Sequence, residues 1–169
     1  FVMHINLSFV QIVKSNIIKD VLENIERYSA ANNHYVFEIT ETIEMDQIPA
    51  VQNVFKEFAK NEFRFAIDDF GTGYSNYGYM RDRTFDIVKV DRSFVTDIDK
   101  LKDNYLMVSF IIKMAHEMGL HVCIEGVETK EELSCVKRLG ADYIQGYYYG
   151  KPVCLQDFEE QHLKRFVLG

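Results

Sequence analysis

The sequence predicts an α/β fold, a (βα)8 barrel cut at its N-terminus to about six βα units. Three observations lead there. Short apolar runs alternate along the whole chain with longer amphipathic ones, the pattern of parallel βα units. Nearly every apolar run carries a polar residue suited to chemistry near its C-terminal end: in order Asn6, Glu38, Asp68, Lys89, Glu125 and Gln145. A closed barrel brings such strand ends to one mouth, whereas an open doubly wound sheet spreads them across its width. Finally, 169 residues fall short of the about 250 that eight units need.

The first run, "FVMHIN" (1–6), places His4 and Asn6 on one strand face, because side chains alternate. The chain opens inside this run, so residues 1–169 read as the C-terminal three-quarters of one domain, with the first two βα units lying upstream. An amphipathic stretch, "SFVQIVKSNIIKDVLENIERYSAA" (8–31), is expected as the first helix. "YVFEIT" (35–40) is the second strand and "QIPAVQNVFKEFAKN" (47–61) the helix after it. "RFAIDD" (64–69) is the third strand, with Ala66 and Asp68 on one face; two glycines follow it, at 71 and 73. In "FDIVKV" (85–90), Ile87 and Lys89 share a face with Asp91, and Val88 and Val90 point the other way. "DNYLMVSFIIKMAHEMG" (103–119) is apolar over most of its circumference, which suits burial or a subunit interface, and Gly119 closes it. "HVCIEG" (121–126) is the fifth strand. "KEELSCVKRLG" (130–140) is a helix with Thr129 as its N-cap and Gly140 at its end. "DYIQG" (142–146) is the last strand, and "LQDFEEQHLKRFV" (155–167) closes the chain as a helix with Leu155, Phe158, Leu163 and Phe166 on one side.

Composition narrows the function. A net charge of −7 without any Lys/Arg run gives no support to duplex nucleic-acid binding. No apolar run is long enough to span a bilayer. Three cysteines without a CxxC pair suit free thiols and a reducing, cytoplasmic setting. An acidic chain can still take an anionic ligand by way of bound cations.

The candidate site residues are mostly oxygen donors: Asn6, Glu38, Glu41, Asp68, Asp69, Glu125, Glu128 and Gln145. The five histidines show no pairwise zinc spacing. Such a set suits Mg2+ or Mn2+, or less well Ca2+. Two ions would let Asp68 and Asp69 stand side by side without mutual repulsion, and would clamp a phosphate. Each residue taken alone has a plainer reading: "DDFGTG" as a turn, Lys89 as one half of a structural ion pair, Glu38 and Glu41 as solvated strand ends. Their recurrence at strand ends is what favours a site.

Taken together, "NLS" (6–8), "EITET" (38–42), "DDFGTGYSN" (68–76), "KVDRSFV" (89–95), "EGVET" (125–129) and "QGYYYGKP" (145–152) resemble the EAL domain family of bacterial cyclic di-GMP phosphodiesterases, in the family's order and nearly end to end. The resemblance implies a TIM-type barrel and hydrolysis of cyclic di-GMP to linear pGpG. It implies Asn6, Glu38, Asp68, Asp69 and Glu125 as ligands of an Mg2+ or Mn2+ pair, with Glu125 also a general base. Lys89 would orient the attacking water or stabilise phosphoryl charge alongside Glu125 and Asp69. Glu41, Glu128, Gln145 and Asp91 would support these groups or the substrate. The segment Phe70, Gly71, Thr72, Gly73, Tyr74 and Ser75 would be a regulatory loop, linked with the following helix to homodimerisation. An upstream regulatory or GGDEF-type domain is common in the family. The Glu-Ala-Leu motif that names the family sits on a strand this chain does not include, and its Glu is a ligand. A catalytically inactive receptor or interaction module of the same family is therefore the alternative.

Overall fold

A computed structural model of the chain describes residues 2–14, 16–27, 34–40, 48–72 and 85–163. Of the predicted site, Glu41, Gly73, Tyr74 and Ser75 lie outside the described residues. Six strands form one sheet: β1 (Met3–Asn6), β2 (Tyr35–Thr40), β3 (Arg64–Phe70), β4 (Ile87–Val90), β5 (His121–Ile124) and β6 (Tyr143–Ile144). Each is parallel to its sequence neighbour, in the order β1-β2-β3-β4-β5-β6. This curled half-barrel is the predicted fold, and all six predicted strands are present.

Between the strands lie α1 (Phe9–Lys14), α2 (Ile17–Arg27), α3 (Ile48–Lys60), α4 (Lys102–Glu117) and α5 (Lys130–Leu139), with the single turn α6 (Leu155–Phe158) at the end. The helix expected over 8–31 is divided into α1 and α2. The Asn16 carbonyl accepts the Asp20 N–H at 3.1 Å, so Asn16 starts a second helix, a place asparagine favours. Of the helix expected over 155–167, the described part runs as α6 and then a wider π turn, Glu159–Leu163, and 164–167 lie outside the described residues. On the predicted apolar side Leu155 is 72% exposed and Phe158 is half-buried.

The alternation of the strands sorts their side chains into two layers. Phe37, Ile39, Phe65, Ile67, Val88, Val90, Val122 and Ile124 pack with the helices in one continuous core. Phe37, Phe58, Phe63 and Phe65 meet there with ring centroids 4.9 to 6.1 Å apart, mostly edge to face. The opposite, inner face carries a thin apolar layer of Val36, Ala66, Ile87 and Cys123. Two residues further along each of these strands stand Glu38, Asp68, Lys89 and Glu125. Strand periodicity thus puts all four on the inner face, directly beyond the apolar layer.

Candidate functional site

The centre of the site is Lys89, whose side chain is only 3% exposed. Its Nζ lies 2.7 Å from Glu38 Oε1, 2.8 Å from Asp68 Oδ1 and 2.7 Å from Glu125 Oε1. Three strands therefore converge on one ammonium from β4. Burial alone would lower the lysine pKa, but the hydrogen bonds to Asp68, Glu125 and Glu38 outweigh it and hold Lys89 above the ordinary lysine range. The ion-pair reading of Lys89 is met by these three contacts.

Regular pleating would send Asp68 and Asp69 to opposite faces. A bulge prevents this. Ile67 pairs with Val88 and Phe70 with Val90, so β3 inserts one extra residue against β4. Asp69 takes it up at φ 55°, a left-handed conformation that aspartate tolerates better than most residues. Asp68, Asp69 and Glu125 thereby each offer an oxygen within 4.8 Å of the others. Asp69 is pushed above the usual carboxylate range by burial and by the Asp68 and Asp91 charges. Glu125 is raised as well, because its burial exceeds the effect of the Lys89 hydrogen bond. Glu38 goes the other way: burial is outweighed by hydrogen bonds from His4 and Lys89, which hold it below the usual range. One ammonium faces three bonded carboxylates, with Asp69 beside them, so negative charge is in excess. Asp68, Asp69 and Glu125 form a group of oxygen donors that could hold a metal ion.

The other predicted residues are placed as follows. Asn6 stands at the end of β1, in register with Glu38. Asp91 caps the 3-10 turn Arg92–Phe94, its Oδ1 accepting the Ser93 N–H at 3.0 Å, which with that turn's backbone holds its pKa low against the effect of burial. Gln145 has an exposed side chain; its backbone N–H donates to the Ile124 carbonyl at 2.8 Å, and its carbonyl accepts from Val127 at 3.2 Å. Glu128 is exposed, and its N–H donates to Glu132 Oε2 at 2.9 Å. Phe70 is buried, and Gly71 (φ 97°) passes so close to Phe94 that an added Cβ would lie 2.8 Å from its ring. The Thr72 hydroxyl donates to the Asp69 carbonyl at 2.9 Å. The Cys123 thiol, just beneath the charges, is pushed up to about 12 by burial and by Glu125, so it stays a thiol.

Sequence reasoning missed two residues. His4 Nδ1 lies 2.6 Å from Glu38 Oε1; the available signal was its shared strand face with Asn6, not any zinc spacing. Glu132 Oε2 accepts the Glu128 and Thr129 N–H groups at 2.9 and 3.0 Å, and its Oε1 accepts the Asp97 N–H at 3.1 Å. Thr129 returns a bond to the Glu132 N–H, completing a capping box. The Thr-x-x-Glu spacing was the signal. Glu132 ties the turn after Glu125 to the turn after β4, and these bonds lower its pKa against the effect of burial. A folded pKa below the unfolded one means that this stability is present above the ordinary glutamate pKa of 4.5 and is lost as pH falls through the folded value. Glu132→Ala is expected to cost about 2 kcal/mol at pH 7 by urea unfolding, and the gap from the parent chain should narrow in acid.

The EAL domain family model matches residues 1–152. Among curated proteins, the probable cyclic di-GMP phosphodiesterase PdeA of Escherichia coli is 33% identical over 153 residues, covering 90% of this chain and 21% of that protein. Among solved structures, the EAL enzyme Bd1971 in its cAMP- and cyclic-di-GMP-bound form superposes with a TM-score of 0.90 at 34% identity, over 95% of this chain and 42% of that one. The manganese/cyclic di-GMP complex of Klebsiella pneumoniae BlrP1 gives 0.81 at 26% identity, over 89% of this chain and 39% of that one. The chain spans about a fifth of the length of the first curated relatives it matches.

Proposed function

The chain belongs to the EAL domain family, and from that premise we propose that it contributes the catalytic face of a metal-dependent phosphodiesterase acting on cyclic di-GMP to give linear pGpG. The observation that carries this reading is the Lys89 cluster with Asp69 brought alongside by the bulge. The names of similar proteins, phosphodiesterases and cyclic-di-GMP complexes, support the substrate.

The donor set fits a pair of Mg2+ or Mn2+ ions held by Asn6, Glu38, Asp68, Asp69 and Glu125. Bound there, such ions would polarise phosphoryl oxygen and acidify water. The chain's own residues supply the rest. Lys89 fixes three carboxylates in one geometry and puts positive charge where phosphoryl charge develops. Glu125, with its raised pKa, is suited to take the proton from the attacking water. The water oxygen bonds to phosphorus, the bond from phosphorus to the 3′ oxygen breaks, and that oxygen leaves protonated. The 5′ phosphate stays, which gives pGpG. Gln145 lies at the rim to meet substrate, Asp91 and Glu128 steady the neighbouring turns, and Phe70 to Thr72 begin the regulatory loop. The free thiols Cys123, Cys135 and Cys154 support a cytoplasmic setting.

Turnover of cyclic di-GMP with Mg2+ or Mn2+ tests this. Asp68→Asn should lower pGpG formation by at least about a hundredfold in the full-length protein. Retained turnover would overturn the mechanism; nucleotide binding without cleavage in the parent protein would replace it with the receptor reading. Homodimerisation is part of the same proposal, through the loop after Asp69 and α4. The outer side of α4 leaves Leu106, Met107 and Phe110 exposed at 54%, 46% and 59%, while Val108, Ile111, Ile112 and Ala115 are buried. Phe110→Glu should shift the sedimentation of a dimeric parent protein to monomer, and an unchanged dimer would move the interface elsewhere.

A further inference from the structure

We propose that His4 is a positioning residue for Glu38, fixing one oxygen of that carboxylate so that the other faces the cations; the inference rests on the metal-site reading above. Glu38 lies on β2, with β1 beside it, and Asn6 occupies its register position. His4 precedes Asn6 by two residues and so shares its face. His4 Nδ1 reaches Glu38 Oε1 at 2.6 Å, and Lys89 Nζ reaches the same oxygen at 2.7 Å. A carboxylate only accepts, so the imidazole proton in this contact sits on Nδ1. The two donors come from opposite directions along the sheet, β1 on one side and β4 on the other. Two bonds on one oxygen fix the plane of the carboxylate. Both contacts fall on Oε1, and Oε2 is the atom assigned to the cations. Groups that hold a ligand's second atom typically change metal affinity about ten- to a hundredfold when removed.

Mn2+ titration of the full-length protein by calorimetry tests the idea, with His4→Ala, His4→Asn and Asp68→Asn. Asparagine places an amide N–H near where Nδ1 stands. His4→Ala should weaken Mn2+ binding about tenfold, and His4→Asn should recover most of that loss, while metal-free thermal unfolding of the two variants stays alike. Equal weakening in both, or none in either, overturns the role of His4 while leaving the metal site standing. If the parent chain binds no Mn2+, or Asp68→Asn binds it as well as the parent, the metal-site reading fails first and takes this inference with it.

Discussion

Replacing Lys89 with methionine is expected to destabilise the metal-free chain by about 3–5 kcal/mol. The volume is roughly kept, so packing is not the cause. What is lost is the one charge that lets Glu38, Asp68 and Glu125 lie 7%, 14% and 17% exposed within 2.8 Å of a common point. Without it the carboxylates repel in a setting with little solvent, and at least one must take a proton or the strands must part. Urea unfolding measures the effect. Adding Mn2+ should restore part of the loss in the variant, because cations take over the neutralisation. Lowering the pH should restore part of it too, since protonated carboxyls no longer repel. A variant that unfolds at the same urea concentration as the parent would mean that the lysine does not neutralise the cluster.

Gly146→Ala is expected to be nearly as damaging, at least about 3 kcal/mol. A Cβ on Gly146 would lie 2.1 Å from the Val127 carbonyl oxygen and 2.4 Å from its nitrogen. These are backbone atoms, so no rotamer change relieves the overlap. The two segments would have to separate, breaking the bond from the Val127 N–H to the Gln145 carbonyl (3.2 Å) and that from the Tyr148 N–H to the Val127 carbonyl (3.0 Å). Val127 is two residues from Glu125 and Gly146 is next to Gln145, so the damage falls on the site as well as on stability. Thermal unfolding together with Mn2+ affinity measures both; a variant unchanged in either would show that the segments can part freely.

The fold was legible because strands and helices here differ in period and are punctuated by strong local signals. Thr129 does cap α5, and Gly119 and Gly140 do sit at positive φ, 78° and 89°, just past their helices. Recurrence at strand ends grouped Asn6, Glu38, Asp68, Lys89, Glu125 and Gln145, and of these Glu38, Asp68 and Glu125 meet at Lys89. What could not be read was whatever departs from regular pleating or depends on distant partners. The bulge at Asp69 is a register shift between two strands, and nothing in "AIDDFG" alone fixes it. His4 needed the β1–β2 register to be assigned to Glu38. The division at Asn16 reflects a second helix start inside one periodic run, which periodicity does not contain.

The sequential order of the sheet also bears on how the chain reaches this state. Among the described residues every strand pairs with its neighbour in sequence, so the sheet can grow one βα unit at a time. Synthesis runs in the same direction. Glu38 on β2 and Asp68 on β3 are brought together before Lys89 on β4 exists to separate them, and Glu125 arrives last. A nascent chain that has added β3 thus carries Glu38, met by His4, beside Asp68 on a half-formed face. Docking of β4 then supplies the ammonium that Glu38, Asp68 and, later, Glu125 share.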